Sequence, residues 1–286
     1  MKAHDLYQHG IHRLKEAGIP DPEIESSLLV GHLLDLSRTQ VLLHEKEVPD
    51  SVSERFAVYL ERRLQREPLA YILEEQEFWS LPFYVNSDVL IPRPETEFLL
   101  EIVLQVIKGD GRKMTDLSLL DMGTGSGVIP IVLALELAGA SVSSLDISRA
   151  AQVVARRNAL RHGVAEKISF INADWLSAIR PIPLFDLVIS NPPYVARETF
   201  ATLQPEVSRF EPRLALDGGE KGMEVIAGFA GQVADVLKTG GRFFMEIGAD
   251  QGSLVMDLFS SFSQFDGLTV YEDYAGLPRI FHARRS

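Results

Sequence analysis

Leu119-Leu120-Asp121-Met122-Gly123-Thr124-Gly125-Ser126-Gly127 runs from an apolar stretch through alternating glycines into a second apolar stretch over 128–138. It reads as a buried strand turning sharply into a helix. The glycines permit the turn, let backbone approach a ligand, and bring the helix close to the sheet. The spacing is G-x-G-x-G, not the G-x-G-x-x-G of dinucleotide binders, and no Lys-Ser/Thr follows as a P-loop requires. Taken alone, the loop is shared by nucleotide binders and methyl-donor binders.

Around this loop, strand patterns fall near 117–121, 141–146, 167–172, 185–190, 240–247, 267–272 and 278–283, with helical patterns in most gaps and one over 98–107. That alternation predicts an α/β fold, a doubly wound, mostly parallel seven-stranded sheet with helices on both faces. Only Tyr274-Ala275-Gly276-Leu277 connects the last two strands, so they are expected to pair antiparallel.

The amino-terminal part has a different rhythm. Leu6, Ile11, Leu14 and Ala17 mark an amphipathic helix ended by Gly18 and Pro20. Asp21-Pro22 opens a second helix carrying Ile24, Leu28, Leu29 and Leu33, and a third runs over 51–65 with Phe56, Val58, Leu60 and Leu64. Pro68-Leu69-Ala70-Tyr71-Ile72 and Phe83-Tyr84-Val85 read as β segments flanking a turn-rich Glu74–Pro82 region, a hairpin joining two modules. The expected division is a small all-helical substrate-recognition domain over 1–75, a β-hairpin linker over 76–95 and the sheet domain over 96–286. His4, His9, His12, His32 and His44 are scattered and read as solvated or core residues, so no metal is expected.

Open α/β sheets place their chemistry beyond the carboxyl ends of strands. Asp146 ends the strand about 20 residues after the glycine loop, where an acidic residue reaches ribose hydroxyls. It could instead cap the helix starting near Ser148; the upstream loop favours the ligand role. At the next strand end, Asp174 can accept from an adenine amino group while Trp175 packs on the ring, a buried core Trp being the alternative. The fourth strand, Phe185 to Ser190, ends in Asn191-Pro192-Pro193-Tyr194. Asn191 offers a carbonyl acceptor, the two prolines stiffen the backbone and remove N–H donors, and Tyr194 supplies a flat face. Such a site suits a planar NH2 group rather than a phosphate or carboxylate. Gly123, Thr124, Gly125, Ser126, Gly127, Asp146, Asp174, Trp175 and Asn191 thus form the expected binding surface for a nucleoside lying along the sheet, its reactive end at Asn191.

Composition narrows the partners. The chain has 286 residues, 46% of them hydrophobic, and a net charge of −12. There are 9 basic and 15 acidic residues through Ser80, and 19 and 25 after it, so each part carries −6. An evenly acidic surface repels a nucleic-acid backbone and weakly favours a basic or neutral protein. The absence of cysteine fits a reducing cytosol. The longest apolar stretch, Val128 to Ala140, contains Glu136 and is too short to span a bilayer.

With these motifs in view, the sequence resembles class I, Rossmann-like S-adenosylmethionine-dependent methyltransferases, and more narrowly the HemK/PrmC family of release-factor glutamine N(5)-methyltransferases. The resemblance covers nearly the whole chain. It rests on Arg66-Glu67-Pro68-Leu69-Ala70-Tyr71-Ile72, Ile91-Pro92-Arg93-Pro94-Glu95-Thr96-Glu97, Asn191–Tyr194, Glu211-Pro212 to Gly222-Met223, Gly240-Gly241 and Glu246-Ile247-Gly248. Adenine-amino DNA methyltransferases share N-P-P-Y, and a sister family acting on a ribosomal-protein glutamine departs at the I-P-R-P-E-T-E segment. The resemblance implies S-adenosylmethionine as cofactor and the Gln of the Gly-Gly-Gln loop of class 1 release factors as acceptor. It also implies a cytoplasmic monomer with no direct nucleic-acid or membrane contact. Asn191 Oδ1 and the Pro192 carbonyl would then accept the two amide hydrogens, Tyr194 would pack the amide, and Pro193 would complete the substrate surface. Two features stay open. Arg93, Glu95 and Glu97 either close over the methionine end of the cofactor or, for the acids, complement the helix dipole. Arg149, Arg156, Arg157 and Arg161 form a solvated helix face or, less expected, a docking stripe. Ala196–Pro212 reads as a substrate-contacting loop that orders on binding. The competing readings are an adenine-amino DNA methyltransferase, a non-catalytic S-adenosylmethionine-binding scaffold and, disfavoured by the glycine spacing, a nicotinamide dehydrogenase.

Overall fold

A computed structural model describes residues 2–43, 47–109 and 116–286, so His44 lies outside the described residues. The chain forms two compact units, Met1–Glu75 with Gln204–Phe210, and Gln76–Leu203 with Glu211–Ser286.

The first unit is helical, with α1 (Ala3–Glu16), α2 (Pro22–Leu34), α3 (Arg38–Leu43), α4 (Asp50–Leu64) and α5 (Leu69–Leu73). Leu6, Leu14, Leu29, Phe56, Leu60 and Ile72 make its core. Ile24, Leu28 and Val58, which belong to the apolar sequence pattern, stay exposed. The β reading of Pro68–Ile72 is corrected here: the segment is helix α5, with Pro68 as its N-cap residue. Leu69, Ile72 and Leu73 all pack on the core, and only helical spacing puts positions i, i+3 and i+4 on one face. A strand would send Leu69 and Ile72 to opposite sides.

The hairpin, β1 (Glu75–Phe78) and β2 (Leu81–Tyr84), begins inside the region read as turn and ends in Phe83-Tyr84, read as β. Trp79 and Ser80 make the two-residue turn with φ of 55° and 56°, the left-handed pair that matches strand twist. In chain order there follow α6 (Pro94–Gly109), β3 (Ser118–Met122), α7 (Val128–Glu136), β4 (Ser141–Asp146), α8 (Arg149–Arg161), β5 (Ile168–Asn172) and β6 (Phe185–Ser190). The rest is α9 (Pro205–Phe210), α10 (Glu224–Val236), β7 (Leu237–Glu246), α11 (Gly252–Ser260), β8 (Phe265–Glu272) and β9 (Pro278–Arg285). The seven-stranded sheet has the order β5-β4-β3-β6-β7-β9-β8. Its pairs are parallel except β7–β9 and β8–β9, which are antiparallel, the second as the short 274–277 connection requires.

Neighbouring residues along each strand feed different cores. Leu119, Leu187, Ile189, Phe244 and Ile280 pack with Leu99 and Val103 of α6 and Ile131 of α7. Leu120, Val188, Phe243, Met245 and Phe281 pack with Phe229 and Val233 of α10 and Phe259 of α11. The period-two alternation therefore has both faces apolar, as a sheet buried on both sides demands.

The stretch after Tyr194 is not plain loop. It carries a 3-10 turn over Arg197–Thr202 and then α9, which belongs to the helical unit. Within that unit Arg63, only 3% exposed, donates to Glu25 at 2.6 and 3.0 Å and to Glu206 at 2.9 Å. Arg66 donates to the other Glu206 oxygen at 2.9 Å.

Candidate functional site

From β3 the chain moves through β4 and β5 to one side and through β6 and β7 to the other. This is the switch point at which such sheets open a crevice beyond their strands. A cavity of about 210 Å³ lies there, walled by Gly123 to Ser126, by Asp146, Asp174 and Trp175, and by Asn191 and Pro193. Gly127, Pro192 and Tyr194 are not among the residues that wall the cavity, although each adjoins one that is.

Gly127 caps α7 with φ of 86°, and a Cβ there would sit 3.0 Å from the Ala155 Cβ of α8. A side chain at this position would therefore push the two helices apart. Asp146 takes the Gly125 N–H at 2.9 Å and the Ser148 N–H at 2.8 Å. It is not the cap of α8, since Ser148 fills that role by accepting from Ala151 N–H. Asp146 instead pins the glycine loop to β4 while facing the cavity. Burial raises its carboxyl above the usual range, against the pull of those two N–H groups.

Beneath the loop, Thr124 Oγ1 donates to Asp121 Oδ2 and also contacts Ser144 Oγ. Asp121 is wholly buried and its Oδ1 has no partner among the described residues. Burial pushes its carboxyl up to about 7, with Asp146 adding repulsion. A carboxyl raised on folding gives stability that is present below its unfolded pKa and lost as pH rises through about 7. Asp121→Asn should therefore flatten the fall in stability between pH 5 and 8 and raise the apo protein by roughly 2–4 kcal/mol at pH 8. Urea unfolding at pH 5, 6, 7 and 8 measures this. Parallel pH profiles for the two proteins would contradict it.

Asp174 lies at the end of β5 and is exposed on the cavity wall. Trp175, with φ of 46°, lies between the core and the cavity. Its ring packs on Phe229 with centroids 4.7 Å apart at 32°, and the residue also lines the cavity. Arg93 lines the cavity too and donates to buried Glu211 at 2.5 Å. Glu95 and Glu97 are first-turn acids of α6 and not on the wall; Glu97 accepts the Trp79 N–H of the hairpin. In the arginine stripe, Arg157 is committed, its guanidinium lying 3.3 Å from the Tyr84 ring centroid. Arg149 and Arg156 remain exposed.

The Asn191 elbow follows β6 directly. Asn191 Nδ2 donates to Thr96 Oγ1 at 3.0 Å, Thr96 Oγ1 donates to Glu246 Oε2 at 2.7 Å, and Tyr194 Oη donates to Glu246 Oε1 at 3.0 Å. Asn191 Oδ1 and the Pro192 carbonyl take no hydrogen bond among the described residues. Burial pushes the Glu246 carboxyl up to about 7 against the Thr96 and Tyr194 bonds, and raises the Tyr194 phenol as well. Gln251 Nε2 holds the Tyr194 carbonyl at 3.0 Å and the Gly222 carbonyl at 3.2 Å. Gly222 has φ of 70°, and a Cβ on it would collide with that same Tyr194 carbonyl.

Thr96 and Glu246 enter the sequence reading only as members of motifs, and Gln251 not at all; the sequence assigns none of the three a place in the site. Glu246 does end a strand on the functional edge of the sheet, a usable signal. Thr96 meets it across 150 residues of chain, a pairing no local pattern reveals.

Comparison with known proteins agrees with this architecture. The family model "PrmC N-terminal domain" matches residues 5–73 and "Methyltransferase small domain" matches residues 96–208. The release factor glutamine methyltransferase of Chlorobaculum tepidum is 43% identical, covering 92% of this chain and 90% of its own. That of Nitratidesulfovibrio vulgaris is 37% identical, covering 98% of this chain and 94% of its own. Among solved structures, the M. jannaschii tRNA m1G37 methyltransferase superposes with a TM-score of 0.50 at 15% identity, covering 74% of this chain and 56% of that one, a likeness of fold alone. Identity at this level along nearly the whole length of both sequences, on a sheet with this cavity, places the chain in the release factor glutamine methyltransferase family.

Proposed function

We propose that this protein transfers a methyl group from S-adenosylmethionine to the side-chain amide nitrogen of the Gln in the Gly-Gly-Gln loop of class 1 release factors. One observation carries the reading. At the mouth of the switch-point crevice stands a carboxamide whose nitrogen is already bonded and whose oxygen is free among the described residues. Beside it the Pro192 carbonyl is a second free acceptor. Two acceptors side by side match the two hydrogens of a substrate amide.

The residues present fit the cofactor. Asp146 suits a vicinal diol, the Gly123–Ser126 backbone allows close approach, and Asp174 with Trp175 suits an aminated ring. When bound, S-adenosylmethionine supplies an electrophilic methyl carbon. The chain's own contribution is to overcome the weak nucleophilicity of an amide nitrogen, whose lone pair is shared with its carbonyl. Asn191 Oδ1 and the Pro192 carbonyl would hold both hydrogens, fix the nitrogen's direction and raise its electron density. Gln251 and Glu246 keep the elbow rigid, so positioning supplies most of the gain, with electrostatics second. The proton leaves once nitrogen is alkylated, so no strong base is required.

The helical unit is the part we assign to recognising the release factor. The chain would act as a monomer in the cytoplasm, without direct nucleic-acid contact. No helix among the described residues is long and apolar enough to cross a membrane.

The deciding experiment incubates the protein with labelled methyl donor, each release factor and duplex DNA, then maps the modified residue by peptide mass. Label on the Gly-Gly-Gln glutamine supports the proposal, and label on adenine replaces it. Asp146→Ala should weaken cofactor binding about 10-fold or more by calorimetry, with a smaller loss of rate at saturating cofactor. Unchanged affinity would remove Asp146 from the binding site.

A further inference from the structure

Asparagine at an acceptor site carries an inherent ambiguity. Its carboxamide is nearly symmetric in shape, and a half-turn about the last bond replaces the carbonyl with an NH2 group. An elbow built to accept amide hydrogens works only in one of the two orientations. Something must therefore select it.

The hydrogen-bond directions around Asn191 identify the selector. Glu246 is fully buried at the end of β7 and, ionised, can only accept. Its Oε1 accepts from Tyr194 Oη and its Oε2 from Thr96 Oγ1. Thr96 has a single proton, and that proton points at Glu246. Its oxygen can then only accept from its other neighbour, and the group facing it at 3.0 Å is Asn191 Nδ2. The orientation is passed along a chain of obligatory roles, from carboxylate to hydroxyl to carboxamide. Thr96 is itself only 2% exposed, although it touches the cavity, so its hydroxyl is largely committed to these two partners.

We propose that Thr96, oriented by Glu246, is a positioning residue that turns the Asn191 carboxamide so that its oxygen, not its nitrogen, faces the substrate amide. Its catalytic consequence rests on the functional reading above; the orientation itself does not. The arrangement also specifies a pH response. Protonated on Oε2, Glu246 would donate to Thr96, Thr96 would donate to Asn191, and the carboxamide would turn over. The charged groups around Glu246 are Glu95 from α6, Arg279 from β9, itself held by Asp273, and the Tyr194 phenol. Burial leaves the Glu246 carboxyl near 7, so the competent orientation is gained as pH rises through that region.

Two measurements test this. In the wild-type protein without any substrate, the Asn191 Nδ2 protons should show nuclear Overhauser contacts to the Thr96 side chain at pH 8, weakening toward pH 6. Absence of these contacts at pH 8 overturns the proposal. Kinetically, Thr96→Val should lower kcat roughly 10- to 100-fold while the KM for cofactor stays within a few fold. Thr96→Ser, which keeps the hydroxyl, should recover most of the loss. The rising acid limb of the wild-type kcat profile should be missing from Thr96→Val. A Thr96→Val enzyme with wild-type kcat, or a Thr96→Ser enzyme as slow as Thr96→Val, overturns the proposal. If the wild-type protein methylates no release factor, the functional reading fails, and the Overhauser contacts still decide the orientation.

Discussion

Asn191→Ala should reduce glutamine methylation by about 100-fold or more while cofactor affinity stays within a few fold. The variant deletes the side-chain oxygen proposed to accept from the substrate amide, and it leaves the glycine loop, Asp146 and Trp175 untouched. Removing a single preorganised acceptor removes stabilisation that freely reorienting water replaces only in part. The effect should therefore appear in single-turnover rates at saturating cofactor, with calorimetry showing the preserved affinity. Asn191→Asp is not a mild control. A carboxylate there has no proton to give Thr96 and brings a second negative charge toward Glu246. Turnover near wild type for the alanine variant would show that Asn191 does not act as the acceptor.

Arg63→Ala should cost the helical unit about 3–5 kcal/mol, the range for breaking a buried ion network by removing one partner. Arg63 bridges Glu25 on α2 and Glu206 on α9 with three hydrogen bonds, and is itself almost inaccessible. Its removal leaves Glu25 without that cation and Glu206 with Arg66 alone. Replacing Glu25, Arg63 and Glu206 together with Leu, Met and Leu removes the uncompensated charge, and should restore much of the loss. Urea midpoints for the single and triple variants give the comparison. A loss under about 1 kcal/mol for Arg63→Ala would mean the network behaves like a solvated surface pair.

The sheet was legible because each strand is a short apolar run ending in a residue with chemistry: Asp146, Asp174 and Asn191 sit where the strand patterns stop. The antiparallel end was legible from a four-residue connection too short for a crossover. The α5 segment was not, since Leu69-Ala70-Tyr71-Ile72-Leu73 is too short for its period to separate helix from strand. Only the core it packs on makes that choice. The hairpin turn was hidden because Trp79-Ser80 adopts left-handed backbone without Asn or Gly to announce it. In the site, the residues pointing into the crevice were visible from motif and position. Those that hold them, Thr96, Glu246 and Gln251, depend on contacts between distant stretches of sequence.

The membership of Gln204–Phe210 in the helical unit matters for anyone who would take this protein apart. A fragment ending near residue 75 would lack Glu206, stripping Arg63 and Arg66 of a counter-ion supplied from far downstream. Exchanging helical units among relatives by a single crossover would thus deliver an unfinished part. A working chimaera has to import two separate pieces of the donor gene, the leading helices and the seven-residue patch that completes them.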